Sequence, residues 1–147
     1  MRPLNQRESE PRRVVIVGCG RLGVSVATSL TNRGHIVHIL DSCAEAFSQL
    51  PPGEINDGHI VPVIGNGTLH QDLVRASIQD ADVFMALSNA DTKNALAALM
   101  AKQVYQVSTV ICRIDDPTVK EIYENLNILA ISATTLITDV VLEAAGS

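Results

Sequence analysis

Six residues near the start of the chain, Gly18-Cys19-Gly20-Arg21-Leu22-Gly23, have the spacing of a phosphate cradle rather than of a reacting group. In a G-x-G-x-x-G loop the first glycine permits a tight turn and the second lets a pyrophosphate approach the backbone. The third lets the following helix pack close to a sheet. The anion is held by N–H groups left unpaired at the helix start. Asp41, with Ser42 beside it, stands 18 residues past Gly23. A carboxylate at that distance accepts hydrogen bonds from ribose hydroxyls. The ten positions after Asp41 hold no Arg or Lys, so a 2′-phosphate would meet negative charge without a countercharge. NADP is therefore disfavoured.

Arg21 raises a question of sign. A cation in the first turn of a helix opposes the dipole, at a cost of about 0.3 to 1 kcal/mol. An anion in front of the same turn reverses that cost. Arg21 is expected to contact phosphates, of its own site or of a neighbouring subunit's; a solvated surface arginine is the competing reading. Farther along, the glycines of Gly65-Asn66-Gly67-Thr68 would let the backbone pass beneath a planar base, with Asn66 offering donor and acceptor. A plain β-turn explains the same residues. Ser88-Asn89-Ala90-Asp91 suits a ligand at the end of a strand, and Asn89 or Asp91 equally suits a helix cap. The histidines form no set of three metal ligands, and His35 and His38 would point to opposite faces of one strand. No Ser–His–Asp or Cys–His arrangement is supported by spacing.

Something must hold these groups together. Short β-branched runs occur at 14–17, 36–40, 60–64, 83–87, 109–114 and 128–131, mostly without strict alternation, as in strands covered on both faces. Between them lie helical spacings. Leu22, Val26 and Leu30 form one row before Gly34, and Leu69, Leu73 and Ala76 a weaker one. Leu96, Leu99 and Met100 follow Asp91, and Asp116-Pro117 looks like a cap with proline in the first turn. Six alternations predict an α/β fold: a Rossmann-like, doubly wound, parallel six-stranded sheet with helices on both faces. In that order the first and fourth strands adjoin, which puts Ser88–Asp91 at the switch point.

The 147 residues make one domain, with 46% hydrophobic and 18% charged residues. Net charge is −5 and aromatics are 3%, which argues against a nucleic-acid partner. Three cysteines at no metal-like spacing read as small buried hydrophobes of a reducing cytosol. No apolar run approaches the roughly 20 residues of a membrane helix, so direct membrane insertion is not expected. Residues 1–12 read as a polar, flexible arm. Residues 13–133 would form the nucleotide-binding domain. In 134–147, Leu136, Ile137, Val140, Val141 and Ala144 make an apolar stripe suited either to the chain's own sheet or to a homodimer interface.

Together these stretches resemble the N-terminal, nucleotide-binding domain of the RCK family, regulators of potassium conductance, over about residues 13 to 145. The resemblance rests on "VVIVGCGRLGVSVATSL", Asp41, "IGNGT", "LVRASIQDADVFMALSNADTKNALAALMAK", "VICRIDDPTVKEIYENLNI" and "ISATTLITDVV". It extends the candidate site to Asn89, Asp91 and Asn94, and to Arg113 near the end of the fifth strand. It implies a non-enzymatic regulatory module that binds NAD(H), ATP, ADP or AMP. Such modules pair through a C-terminal crossover region, often assemble as octameric rings, and control a membrane potassium transporter or channel from the cytoplasmic face. An arginine in the position of Arg21 serves nucleotide phosphates at a dimer interface in some members. Two departures stand out: the family commonly has Gly-Asp-Ala-Thr at 65–68, and its second, C-terminal ligand domain is missing. The rival from another class is the cofactor-binding fragment of an NAD-dependent oxidoreductase. A redox-sensing DNA regulator is disfavoured by the acidic balance.

Overall fold

A computed structural model describes residues 10–146. Most of the expected arm at 1–12 lies outside the described residues, as does residue 147. Six parallel strands form one sheet in the order β3-β2-β1-β4-β5-β6: β1 Arg13–Val17, β2 Ile36–Asp41, β3 Ile60–Ile64, β4 Val83–Ala86, β5 Thr109–Arg113 and β6 Leu129–Ile131. The helices are α1 Arg21–Asn32, α2 Pro52–Asn56, α3 His70–Arg75, α4 Asp91–Gln103, α5 Pro117–Asn125 and α6 Ala133–Ala144. Short 3₁₀ segments at Ala44–Gln49 and Ile78–Asp80 complete the connections. The doubly wound order follows from right-handed crossovers running outward in both directions from β1 and β4.

Each face of the sheet has its own core. On one, Val14, Ile16, Val37 and Ile39 pack with Ala27 of α1 and Leu50 beyond the first 3₁₀ segment. On the other, Val15, Val17, Phe84, Ala86 and Cys112 pack with Leu73, Ala97, Ala98 and Ala101 of α3 and α4. β1 is buried at four consecutive residues, as a central strand covered on both sides must be.

The helices seat themselves by their small residues. Gly23, Ala27 and Thr31 are the buried positions of α1, whereas Leu22, in the row expected from its spacing, is 41% exposed. Likewise Asn94, Ala97, Ala98 and Ala101 are the buried row of α4, and Leu96 faces outward. Small side chains let helix and sheet approach closely, so the large apolar residues flank the contact instead of making it.

Burial fades across one face. Ile39, Ile16, Met85, Ile111 and Leu129 are neighbours in a single register row. Ile39 and Ile16 are fully buried, Met85 and Ile111 half-buried, and Leu129 exposed. Helix α6 does not cover the bare part, since none of its residues is buried.

Candidate nucleotide-binding cleft

β1 delivers the glycine loop to the carboxyl edge of the sheet. Gly18 takes φ +106°, and its N–H donates to the Leu40 carbonyl at 2.8 Å. A Cβ there would come within 2.7 Å of the Ser88 nitrogen, so only glycine fits beside the β4 strand end. A Cβ on Gly23 would collide with the Gly18 carbonyl oxygen, which fixes how closely α1 starts behind the loop. Gly20 is different: a Cβ added there would meet nothing within 4 Å. Its side faces open space.

Helix α1 begins without a capping side chain and without an acidic residue in its first turn. Its leading N–H groups therefore have no protein anion or cap to satisfy them. Arg21 lies in that turn. Arg113, at the end of β5, joins it on a cavity of about 450 Å³ that also includes Gly18, Cys19, Gly20, Leu22 and Asn89. Two guanidiniums and a bare helix start converge on one hollow, an arrangement suited to phosphate.

Asp41 is the pivot. One carboxylate oxygen accepts the Cys19 N–H at 2.8 Å and the other the Cys43 N–H at 2.9 Å. It thereby braces the glycine loop from the end of β2. A carboxylate has about four acceptor positions, so two remain for sugar hydroxyls. Cys19 contributes its backbone. Its thiol is buried, donates to the Ala46 carbonyl at 3.4 Å, and is pushed up to about 11 by burial and then by Asp41.

A second cavity of about 210 Å³ continues from Asp41 past Ser42, over Val17 and Leu40, to Asn66, Gly67 and Thr68. It shares Gly18, Asp41, Ser88 and Asn89 with the first, so the two are lobes of one cleft. The cleft straddles the β1/β4 boundary, where the strand order reverses. The 65–68 loop is a built turn. Asn66 Oδ1 accepts the Thr68 N–H at 2.9 Å and the Thr68 hydroxyl at 2.6 Å, while the Asn66 N–H donates to Asp72 at 2.7 Å. Gly67 is pressed against Val17, where a Cβ would collide with the valine side chain. The Asn66 amide and the Arg75 guanidinium hold the Asp72 carboxyl below its usual range.

Three expected site residues turn inward. Gly23 serves packing. Asn94 is fully buried and spends its whole amide on the scaffold: Oδ1 accepts from the Ser88 N–H and hydroxyl, and Nδ2 donates to the Ser88 and Arg113 carbonyls. It ties the β4 end to the β5 end and so sets Ser88 and Arg113 in place. Asp91 accepts from the Asp115 N–H at 2.9 Å, and it does not cap α4. Lys93 was not anticipated. It sits in the first turn of α4 and lines the Asn66 lobe, the same dipole-opposing placement that singled out Arg21. A larger hollow of about 550 Å³, under the C-terminal end of α1 against the bare sheet face, touches none of these residues.

Residues 14–134 match the TrkA-N domain family. The chain belongs to that family. Its members are nucleotide-binding regulatory domains of potassium-uptake and channel systems, not enzymes, which sets aside the oxidoreductase alternative. The chain is 38% identical over 116 residues to the Trk system potassium uptake protein TrkA of Streptomyces coelicolor, covering 78% of this chain and 50% of that protein. It thus spans about half the length of that relative. A solved Kef C-terminal domain of Shewanella denitrificans, in AMP-bound form, superposes with a TM-score of 0.67 at 21% identity, over 92% of this chain and 82% of that one. The GsuK channel bound to NAD superposes with a TM-score of 0.64 at 15% identity, over 83% of this chain and 21% of that one. These two structures share the fold. Among the described residues no helix of this TrkA-N chain is long and apolar enough to cross a membrane.

Proposed function

We propose that this protein is a cytoplasmic nucleotide sensor that regulates a membrane potassium transporter or channel, with NAD(H), ATP, ADP or AMP as its ligands. The observation that carries the reading is the uncapped start of α1 between Arg21 and Arg113, with Asp41 one step along the same cleft. Phosphates would lie against the first turn of α1, the ribose against the two remaining acceptor positions of Asp41, and the base in the Asn66 lobe. AMP and NAD in the two solved relatives of this fold support a nucleoside phosphate. Residues 13–133 would form the sensor, and the segment 134–147, which carries most of helix α6, would pair two protomers. Exposed Leu136, Ile137, Val140 and Val141 support that pairing, as does the bare face near Leu129. The homodimer, or a larger ring built from it, would sit on the inner face of the membrane through its potassium-conducting partner.

Calorimetric titration with ATP, ADP, AMP and NADH tests the cleft. Arg21→Ala and Arg113→Ala are each expected to weaken ADP by about tenfold, the worth of one charge-assisted contact, with an unchanged melting temperature. Unchanged affinity in both variants, or no uptake of any nucleotide, would overturn the reading.

A further inference from the structure

We propose that the hollow under the C-terminal end of α1 is a second ligand site, for a small amphiphile with one anionic head and an apolar tail. It shares no lining residue with the nucleotide cleft and stands apart from that reading. Its floor is the sheet. Val14, Val83 and Thr109 form one register row, and Met85 and Ile111 belong to the next row on the same face. Both valines are buried, Met85 and Ile111 are half-buried, and Leu30 of α1 lies alongside. The volume of about 550 Å³ falls within the range, about 300 to 1,000 Å³, of small-molecule pockets, which are mostly apolar with a few placed polar groups.

The polar groups on this floor favour an anion. His35 is the most telling, since it lines the hollow and is only 8% exposed. Its Nδ1 accepts the Arg12 N–H at 3.0 Å, and a backbone N–H can only donate, so Nε2 carries a proton. That N–H has no partner among the described residues. No buried side-chain nitrogen or oxygen among them lacks one, so the His35 N–H reaches open space, and the open space at His35 is the hollow. Arg12 and Arg33 line it too, no Asp or Glu does, and neither arginine forms an ion pair among the described residues. Glu10 and Asp82 line the adjoining hollow beyond Arg12 and Thr109, where the Arg13 N–H engages Asp82 at 2.9 Å. The carbonyls at the end of α1, which would oppose an anion, are satisfied: Leu30 accepts from the Arg33 and His35 N–H groups and Thr31 from Gly34. An anionic head would pair with the guanidiniums and the His35 N–H while its tail covers Val83, Met85 and Ile111. A small polar anion would leave that floor wet, and a neutral hydrocarbon would leave the imidazole N–H unpaired.

Octanoate is the probe, titrated calorimetrically into the full chain with and without ADP. One octanoate per chain is expected, indifferent to ADP, with octan-1-ol and butyrate each weaker by about tenfold or more. Arg12→Ala and Arg33→Ala should each weaken octanoate by about tenfold and leave octan-1-ol and ADP where they were. Ile111→Trp fills the hollow and should abolish octanoate uptake; the two arginine variants, altered at exposed positions, keep the test alive if it fails to fold. Octanoate that ADP displaces has bound the nucleotide cleft instead, and octan-1-ol binding as tightly as octanoate removes the anionic head; either result overturns the proposal. So does the absence of saturable uptake, or uptake confined to a monomeric Val140→Asp chain, which would seat a second copy on this face. Capture by phosphatidylglycerol vesicles with the same dependence on Arg12 and Arg33 would replace the small ligand by a lipid surface, and overturns it too.

Discussion

Cys19 and Cys112 are both wrapped in apolar side chains at the carboxyl edge of the sheet, and neither behaves as a reactive thiol. Burial, and then Asp41, pushes Cys19 up to about 11; burial, and then Asp91, pushes Cys112 up to about 12. Cys43 is exposed and donates to Glu45 at 3.0 Å. At pH 8 a thiol reagent should therefore label the native protein once, at Cys43. The raised values also set a direction for stability. The unfolded thiols ionise near 9 while the folded ones stay protonated, so their contribution is complete below pH 9 and drains away between about 9 and 12. Cys19 is expected to remove at most about 1.4 kcal/mol per pH unit between about 9 and 11, and Cys112 at most as much between about 9 and 12. Denaturant melts at pH 8, 9, 10 and 11 measure the slope, and Cys112→Ala should reduce it by about that amount even though its baseline is lower. At this scale the sequence was readable where spacing decides a residue's place, as it does for Asp41 at the end of β2 against the glycine loop. Asn94 was not, because the same donor and acceptor set serves a base or a scaffold, and only its four internal hydrogen bonds decide between them.

At the scale of elements, the glycines of the phosphate loop separate into two kinds. Gly23 is required by the fold, since a methyl group there strikes the Gly18 carbonyl oxygen. Gly20 has open space beside it and φ −81°, which alanine adopts freely. Gly23→Ala should thus cost about 1 to 3 kcal/mol in denaturant melts through overpacking. Gly20→Ala should stay within about 1 kcal/mol of wild type and instead weaken nucleotide binding by placing a methyl group where the phosphate approaches. Equal destabilisation by both would mean that the loop is shaped by packing alone. Strand and helix order was legible in the sequence because two-sided burial and helical spacing alternate six times. The seating of α1 was not. Leu22, Val26 and Leu30 mark one helical row, but tight contact with the sheet favours the Gly23, Ala27, Thr31 row one position along, a preference that hydrophobicity does not encode.

For the whole molecule, charge and association both depend on parts far apart in the chain. The protein carries a net charge of −5, yet Arg21, Lys93 and Arg113 surround a cleft whose lining holds one carboxylate, Asp41. Those cations come from α1, α4 and β5, so the local reversal of sign exists only once the sheet is wound. The apolar surface of α6, which follows the edge strand β6, is a counterpart. Leu136, Ile137, Val140, Val141 and Leu142 are between 49% and 65% exposed, and contiguous surface of this kind is covered by association in water. A twofold pairing places the same helix on both sides of the interface, so one substitution acts twice. The wild-type chain is therefore expected to be a dimer by light scattering at tens of micromolar. Val140→Asp buries two unpaired carboxylates in that interface, and a loss of about 2 kcal/mol or more raises the dissociation constant ~30-fold, enough to give monomers at the same concentration. The residues of the cleft lie outside α6, so the monomeric variant should keep its melting profile and still take up nucleotide. A wild-type monomer, or a Val140→Asp protein that remains dimeric, would show that α6 serves some purpose other than pairing.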